Sequence, residues 1–325
     1  MDQIEGRLLI DGVLVESETG RWADSIDPAT EEVIGRAALG SAKDMYRAIN
    51  AAERAWPAWA AREIDERAEI LRAFGDRLAE RFDEISRIEV RDSGNTLKPT
   101  LHAMDETLKT LRFYAGIAPM MRGETIPASS KHMHMTLLEP YGVVGRIAAY
   151  NHPALFSIAR TTAALAVGNA VVVKPPETSP LSVLILGEVA QEMLPPGVFN
   201  IVNGTGAEAG DALVRHPDVK RLALIGSVPT GRAIQRSAAE VAVKHVTLEL
   251  GGKNPMIVFA DADSEAAATS AVRGMNFPWQ GQSCGSNSRV LVHRDIYEDV
   301  LERITAKVAA MRLGDPMADT TDMGP

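Results

Sequence analysis

The chain has 325 residues, of which 46% are hydrophobic and 24% charged, and its formal net charge at pH 7 is −9. A chain of this length and composition can form two domains, each with a hydrophobic core. The negative charge, with no block of lysine or arginine, argues against a nucleic-acid groove or an anionic membrane surface as the main partner. We expect a globular protein that acts on a small molecule.

The N-terminus lacks the basic start and apolar stretch of a secretory signal. No window holds the roughly 18 apolar residues that a membrane-spanning helix needs. The single cysteine, Cys284, excludes an intrachain disulfide. Because a reducing compartment keeps such a thiol free, we expect a cytoplasmic location.

The first quarter of the chain has the apolar periodicity of helices. Apolar residues recur at helical spacing between positions 42 and about 116, which predicts a helical layer. Residues 122–140 then change to alternation, as in His132-Met133-His134-Met135, and this predicts a protruding β-hairpin. We expect no metal site at His132 and His134, because no third ligand is evident.

Beyond Tyr141 the chain alternates short β-rich runs with helical segments. The predicted strands span 143–150, 170–174, 198–202, 221–225 and 244–250. Strand–helix–strand repetition predicts an α/β fold, a Rossmann-like parallel sheet with helices on both faces, whose ligands bind at the carboxyl ends of the strands. After Gly252 a second α/β unit is predicted, with strands at 255–259 and 289–293 and helices at 264–275 and 296–311.

One cysteine and its surroundings carry the main functional signal. Cys284 lies in the run FPWQGQSCG at 277–285, and Glu249 precedes two glycines in the run LELGGK at 248–253. A thiol nucleophile needs a setting that stabilises its thiolate and a second group that handles protons; a glutamate at a strand end suits the second need. Taken alone, a lone cysteine is usually a small buried apolar residue.

Three further motifs accompany this pair: Asn151, the run Lys174-Pro175-Pro176-Glu177, and the run GSVPTG at 226–231. In this order and spacing, the motifs resemble the NAD(P)-dependent aldehyde dehydrogenase superfamily. The resemblance implies oxidation of a small-molecule aldehyde to its carboxylic acid. It also implies a homo-oligomer, dimer or tetramer, for the full-length protein.

The resemblance also implies a domain organisation. A NAD-binding domain would comprise residues 1–121 and 141–251. The hairpin at 122–140 would serve oligomerisation. Residues 252–325 would form the catalytic domain, in incomplete form.

NAD is the cofactor that the resemblance implies, with NADP less favoured. A carboxylate at Glu177 can accept hydrogen bonds from both adenine-ribose hydroxyls and repels a 2′-phosphate. Ser227 and the free amides that open the next helix suit a pyrophosphate. The other residues implied around the cofactor are Lys174, Gly206, Gly226, Leu250 and Gly251. Plainer interpretations also exist, a surface ion pair for Lys174 with Glu177 and an ordinary helix N-cap for Ser227.

The family's chemistry assigns three catalytic roles. Cys284 would attack the aldehyde carbon as thiolate. The Asn151 side chain and the Cys284 backbone N–H would stabilise the oxyanion. Glu249 would activate water to hydrolyse the thioester, which favours a free acid over acyl transfer to coenzyme A or phosphate. Alternatively, Asn151 is a turn residue, and Glu249 is a buried partner of Lys253 or Arg289.

The substrate tunnel departs from the family pattern. The family usually has Trp-Asn-Phe-Pro where this chain has YNHP at 150–153, so His152 replaces an aromatic residue. An imidazole there could meet a polar or carboxylate group of the substrate, or could simply be packed. Phe156 and Ala159, one helical turn apart, are expected to face the tunnel, and Ser283 flanks the nucleophile. The small Ala159 favours a medium or bulky aldehyde, aromatic or carboxylated.

Residues 313–325 match a mid-protein stretch of the family, so roughly its last third has no counterpart here. That part normally supplies a second glutamate for the nicotinamide ribose, much of the tunnel and a strand that pairs with the hairpin. For a chain ending at Pro325 we expect a poorly held nicotinamide and an unpaired edge in the catalytic sheet.

Two other functions remain as alternatives. The first is a catalytically inactive truncated chain that binds NAD or assembles as a regulatory or structural subunit. The second is a cysteine hydrolase without a redox cofactor, for which His245 is the candidate histidine. It fits poorly, because no histidine stands with Cys284 in a hydrolase signature.

Overall fold

The computed structural model describes residues 4–325, so the first three residues of the expected NAD-binding domain lie outside it. The chain begins with five short strands: β1 (Ile4–Gly6), β2 (Leu8–Ile10), β3 (Val13–Val15), β4 (Trp22–Ile26) and β5 (Val33–Ala38). Strands β1, β5 and β4 form a sheet of their own. Sequence analysis predicted none of these strands, because three to six residues are too few to show a clear alternation.

Four helices follow and confirm the predicted helical layer. They are α1 (Ala42–Ala60), α2 (Ile64–Glu80), α3 (Phe82–Ser93) and α4 (Leu97–Ile117). A capping box begins α1, in which Ser41 and Asp44 each accept a hydrogen bond from the other's backbone N–H. Helix α3 ends at Gly94, whose φ of 78° is left-handed and favours glycine.

A two-stranded antiparallel hairpin follows the helices, as predicted. Its strands are β6 (Thr125–Pro127) and β7 (Met133–Met135), and Ile126 lies opposite His134. Both strands are exposed along their full length. Its role in oligomerisation stays a prediction.

The large sheet confirms the predicted α/β architecture. Its parallel strands are β8 (Val143–Ile147), β9 (Ala170–Lys174), β10 (Phe199–Ile201), β11 (Val219–Gly226) and β12 (His245–Leu250). They lie in the order β12-β11-β8-β9-β10, and β2 and β3 then extend the sheet in antiparallel fashion. The helices between the strands are α5 (Pro153–Ala166), α6 (Leu181–Met193), α7 (Asp211–Arg215) and α8 (Val228–Ala239).

Both faces of this sheet are covered. On β9, Val171 and Val173 join a cluster with residues of α2, α4, α5 and α6. Ala170 and Val172 join a second cluster with residues of α1, α7 and α8. Successive strand residues point to opposite faces, so a continuous apolar run is what a strand buried on both sides requires.

The last part of the chain is a smaller α/β unit. It contains β13 (Pro255–Val258), α9 (Ser264–Gly274), β14 (Arg289–Val292) and α10 (Tyr297–Ala309), close to the predicted bounds. Strands β13 and β14 are parallel and, within residues 4–325, form a sheet of two strands. A small cluster around Val258, Ala267 and Val300 forms its core. No helix in the described part of the chain is long and apolar enough to cross a membrane.

Candidate active site

The carboxyl ends of neighbouring strands bring the candidate residues to one edge of the large sheet. Lys174 is the last residue of β9, and Glu249 is next to last in β12. Ser227 directly follows β11, and Asn151 lies between β8 and α5. Because these strands are parallel, their carboxyl ends face the same way and residues distant in sequence meet there.

The loop that carries Cys284, residues 276–286, has a constrained backbone. Asn276 and Gln280 have φ values of 59° and 53°, in the left-handed region, which asparagine tolerates but glutamine seldom adopts. Each such conformation costs about 1–3 kcal/mol and persists only where the surroundings enforce it. Here Asn276 Nδ2 donates to Ser283 Oγ at 3.1 Å, and the Gln280 side chain donates to a carbonyl of the α3–α4 turn.

Cys284 is partly buried beside Glu249. Its thiol lies next to the Glu249 carboxylate, and its carbonyl accepts a hydrogen bond from Asn254 Nδ2 at 2.6 Å. Burial raises the pKa of the Cys284 thiol, and the hydrogen bond and charge of Glu249 raise it further, while backbone N–H groups of Cys284 and Gly285 oppose the rise. The resting group is therefore a thiol, with a carboxylate in place to take its proton.

The sequence also allows Glu249 to be a partner of Lys253 or Arg289. In the structure, Arg289 Nε donates instead to the Lys253 carbonyl at 2.8 Å. The Glu249 carboxylate meets Cys284, which is the arrangement that a proton acceptor requires.

Asn151 reaches the same loop from the other side. Its Nδ2 donates to the Gln282 carbonyl at 2.8 Å, two residues before Cys284. The Asn151 carbonyl in turn accepts a hydrogen bond from Asn95 Nδ2 at 2.9 Å. Sequence analysis missed Asn95, since a residue after a helix-terminating glycine carries no signal of a partner 56 positions away.

His152 is a neutral, packed side chain. Its ring lies edge-on to Phe156, with centroids 5.6 Å apart, and to Trp279, with centroids 4.8 Å apart. Burial lowers the pKa of His152 to about 4, so the imidazole is uncharged at neutral pH. Of the two interpretations left open by the sequence, the ring contacts favour the packed one. Trp279 was not singled out in advance.

The other expected tunnel residues are mostly enclosed. Phe156 packs in a buried cluster with Ala148, Ala149 and Ile225, and Ala159 is also buried. Ser283 Oγ accepts hydrogen bonds within its own loop, including one from the Gly285 N–H at 3.2 Å. Their role in lining a tunnel stays a prediction.

Lys174, Glu177 and Gly206 meet at the next part of the edge. Lys174 is only 3% exposed, donates from Nζ to the Pro175 carbonyl at 2.9 Å, and lies 3.9 Å from Glu177 Oε1. Burial lowers the pKa of Lys174 to about 8. Glu177 is exposed and accepts a hydrogen bond from the Gly206 N–H. The pair is therefore not a simple surface ion pair, because its cation is buried.

Ser227 and Gly251 directly follow the neighbouring strands β11 and β12. Ser227 caps α8, and its Oγ accepts a hydrogen bond from the Thr230 N–H at 3.3 Å. Gly226 lies opposite Leu250 in the β11–β12 register. A Cβ added at Gly251 would meet no atom within 4 Å, so packing does not itself require glycine there.

A cavity of about 950 Å³ is lined in part by Arg146, Arg160, Arg221 and Thr247. Arg146 is buried, and its Nε and Nη2 have no hydrogen-bond partner within residues 4–325. Burial, together with the charge of Arg160, lowers the pKa of Arg146 to about 10, and Glu249 acts in the opposite direction. Cys284 does not line this cavity, so it is not the space above the nucleophile.

His245 does not stand with Cys284. It is four residues from Glu249 along the regular strand β12, about 13 Å away at the usual rise per residue. Its ring lies instead near Tyr141, with centroids 6.0 Å apart. The cysteine-hydrolase alternative therefore loses its histidine.

Comparison with known proteins adds independent findings. The family model described as the aldehyde dehydrogenase family matches residues 14–325. Aldehyde dehydrogenase tropH of Talaromyces stipitatus is 40% identical over 98% of this chain and 62% of its own length. Betaine aldehyde dehydrogenase of Cereibacter sphaeroides is 43% identical over 97% of this chain and 65% of its own length. The chain thus spans less than two thirds of these relatives.

Solved structures agree. The structure described as the NAD⁺ complex of aldehyde dehydrogenase from Bacillus cereus superposes with a TM-score of 0.96, at 38% identity, over 99% of this chain and 66% of that one. The structure of PnpE from Pseudomonas sp. WBC-3 gives a TM-score of 0.95, also at 38% identity, over 99% of this chain and 66% of that one.

Proposed function

Because the chain belongs to the aldehyde dehydrogenase family, we propose that the protein oxidises an aldehyde to its carboxylic acid with NAD, through a covalent intermediate on Cys284. One observation carries the proposal. The Cys284 thiol lies next to the Glu249 carboxylate, while the Asn151 amide donates to the loop that carries Cys284. This arrangement supports Cys284 as nucleophile, Glu249 as proton acceptor and Asn151 as oxyanion donor.

In the first step Glu249 takes the thiol proton, and the Cys284 sulfur attacks the aldehyde carbon to form a thiohemiacetal. The raised pKa of Cys284 makes this transfer necessary, because little thiolate exists at neutral pH in the resting arrangement. The Asn151 amide carries two N–H bonds, so one can stay on the Gln282 carbonyl while the other donates to the oxyanion.

NAD, when bound, supplies the acceptor for the hydride that leaves the thiohemiacetal carbon. The product on the protein is a Cys284 thioester. After releasing the thiol proton to solvent, Glu249 acts a second time, as the base that takes a proton from the water attacking the thioester carbon. The sulfur leaves as thiolate and receives that proton from Glu249. The carboxylic acid is released and the thiol is restored.

The residues at the sheet edge fit a dinucleotide. Glu177 offers an exposed carboxylate for the adenine-ribose hydroxyls, and its negative charge disfavours NADP. Ser227 and the first-turn amides of α8 suit the pyrophosphate. The open space at Gly251 leaves room for the nicotinamide. The Bacillus cereus relative, described as a NAD⁺ complex, supports the same choice.

The substrate side of the proposal is narrower than the sequence suggested. A neutral His152 between two aromatic rings favours an aldehyde with an apolar or aromatic body over a carboxylated one. Phe156, Ala159 and Ser283 are proposed to line the same substrate tunnel as His152.

The organisation of the protein is part of the proposal. Separate hydrophobic clusters support a NAD-binding domain (1–121 and 141–251) and a catalytic domain (252–325). We propose the hairpin at 122–140 as a subunit contact in a homo-oligomer, since its Met133 and Met135 side chains are exposed. A reducing, cytoplasmic location would keep Cys284 free.

The proposal is tested by NADH formation at 340 nm, with NAD and a panel of aliphatic and aromatic aldehydes. A Cys284→Ala variant run in parallel is the control, and we expect a loss of at least about 10⁴-fold in rate. Cys284-dependent NADH supports the proposal. NAD binding without any NADH would contradict it for this chain and favour a catalytically inactive subunit.

A further inference from the structure

The turn between α3 and α4, residues 94–96, contacts both halves of the active site. The Gly94 carbonyl accepts a hydrogen bond from Gln280 Nε2. Asn95 Nδ2 donates to the Asn151 carbonyl at 2.9 Å. Thr96 donates to the Pro278 carbonyl from its backbone N–H at 3.0 Å and from Oγ1 at 3.2 Å. Three successive residues thus hold two segments that are more than 100 positions apart.

These contacts close a ring of hydrogen bonds. Asn95 donates to Asn151, Asn151 donates to the Gln282 carbonyl, and Gln280 donates back to Gly94. In such a ring, each bond restricts the geometry of the others. The distance between the Asn151 amide and the loop that carries the nucleophile is therefore set partly by the 94–96 turn.

The 94–96 turn is buried and can therefore hold its two hydrogen-bonded partners at a fixed distance from each other. Asn95 and Thr96 are 2% and 3% exposed, so their hydrogen bonds are shielded from water. Helix α3 also holds the other end of segment 151–154. Glu89 Oε2 accepts a hydrogen bond from the Ala154 N–H at 2.9 Å, in the first turn of α5. Residues 151–154 are thus fixed at both ends by α3 and its terminal turn.

We propose that Asn95 is a positioning residue, which keeps the Asn151 amide in register with the nucleophile loop through the 94–96 turn. This inference rests on the proposed function. Within residues 4–325 Asn95 makes no hydrogen bond to Cys284, and its effect passes through Asn151. Since a misplacement of about 1 Å can cost on the order of 100-fold in rate, removal of the Asn95 amide has a measurable consequence.

The kinetic test is a double-mutant cycle on the full chain with Asn95→Ala and Asn151→Ala. Asn95→Ala is expected to lower kcat about 10- to 100-fold, with KM for NAD changed less than about twofold. In the Asn151→Ala background the same substitution is expected to cost less than about threefold, because the group that it positions is gone. Equal losses in both backgrounds would overturn the proposal.

Asn200→Ala is the matched control. Asn200 is also a buried asparagine, and its Nδ2 donates to a backbone carbonyl, that of Gly197, at 2.7 Å. It lies on β10 and, within residues 4–325, makes no hydrogen bond to Asn151 or to the loop at 276–286. A merely structural role for Asn95 predicts similar kinetic losses for both variants, whereas positioning predicts a loss for Asn95→Ala alone.

A second readout does not depend on dehydrogenase activity. Hydrogen–deuterium exchange is measured on peptides covering 148–155 and 276–286, and iodoacetamide alkylation is followed at Cys284, the single cysteine. Asn95→Ala should raise exchange in both peptides and change the alkylation rate, whereas Asn200→Ala should do neither. Unchanged exchange and alkylation in Asn95→Ala would overturn the inference, even if no aldehyde were oxidised. Absent NADH in the parent chain would instead count against the proposed function.

Discussion

The large parallel sheet and the smaller unit at 252–325 contain strands of similar apolar character, yet they are buried to different extents. All five residues of β9 are buried. In the smaller unit, Ile257 on β13 is 60% exposed and Leu291 on β14 is 56% exposed. An apolar run therefore predicts a strand, but the helices packed on each face decide how deeply it is buried.

The candidate catalytic residues lie where few helices cover the strands. Glu249 is an exposed residue on the edge strand β12, and Cys284 is partly buried in a loop of the smaller unit. The buried sheet supplies the rigid frame, and the side chains at its border remain accessible to ligands. Substitutions in the two regions should consequently have separable effects, on stability in the first and on turnover in the second.

Glu249→Gln is expected to lower turnover strongly while leaving stability almost unchanged. The amide of this variant cannot take a proton from the thiol or from water, so we expect steady-state turnover to fall about 10²- to 10⁴-fold. If the substitution slows thiol activation less than thioester hydrolysis, the thioester accumulates and a burst of NADH precedes the stall. Stopped-flow absorbance at 340 nm measures both phases, and thermal unfolding should show little change. Full steady-state turnover in this variant would refute the base assignment.

Leu222→Ala and Leu291→Ala test the structural side with one residue type. Both leucines lie in strands, but Leu222 is 1% exposed on β11 whereas Leu291 is half exposed on β14. We expect Leu222→Ala to lower the free energy of unfolding by about 2–5 kcal/mol. Leu291→Ala should cost less than about 1 kcal/mol, because little apolar area is lost from a core. Equal losses in urea unfolding would break the comparison between the two regions.

The same contrast explains how much could be predicted from sequence. Strand β9 was predicted at its observed bounds, since its apolar run is continuous and a Pro-Pro pair follows. Cys284, Glu249 and Asn151 were identified by their motifs, and the structure brings all three together. Residues that hydrogen-bond to these three, such as Asn95, were missed, because hydrogen-bond partners so distant in sequence leave no local pattern.

The charge of His152 illustrates the remaining gap. An imidazole can be charged or neutral at the same place in a sequence, and only its burial decides between the two. That burial comes from Trp279 and Phe156, which approach from different elements. Tertiary packing thus fixed a property that composition and spacing left open.

Glu177→Gln tests the proposed role of Glu177 in cofactor preference, and its expected effect is smaller than those above. The variant removes the charge that repels a 2′-phosphate but keeps an oxygen for the Gly206 N–H. We expect the ratio of kcat/KM for NADP to that for NAD to rise about tenfold, or about 1.4 kcal/mol. Because Glu177 is exposed, unfolding should hardly change. An unchanged cofactor ratio would remove this residue from the ribose site.

Glu89→Gln and Glu84→Gln compare a buried with an exposed carboxyl on one helix. Burial raises the pKa of Glu89 from 4.5 to about 7, whereas the hydrogen bond from Arg81 lowers the pKa of Glu84. For Glu89, the native state holds a proton that the unfolded state loses above about pH 4.5. Its stabilising contribution is therefore present below pH 4.5 and lost as the pH rises through about 7.

The Glu89→Gln variant keeps an oxygen for the Ala154 N–H and the Ser182 hydroxyl, without a charge to bury. The free energy of unfolding of Glu89→Gln, relative to the parent, should therefore rise between pH 5 and pH 8 by on the order of 1 kcal/mol. Glu84→Gln should show the opposite slope between pH 3 and pH 5, because an ionised Glu84 is the stabilising form. Urea unfolding across this range decides the matter: parallel pH profiles for the two variants would mean that burial does not control the ionisation of Glu89.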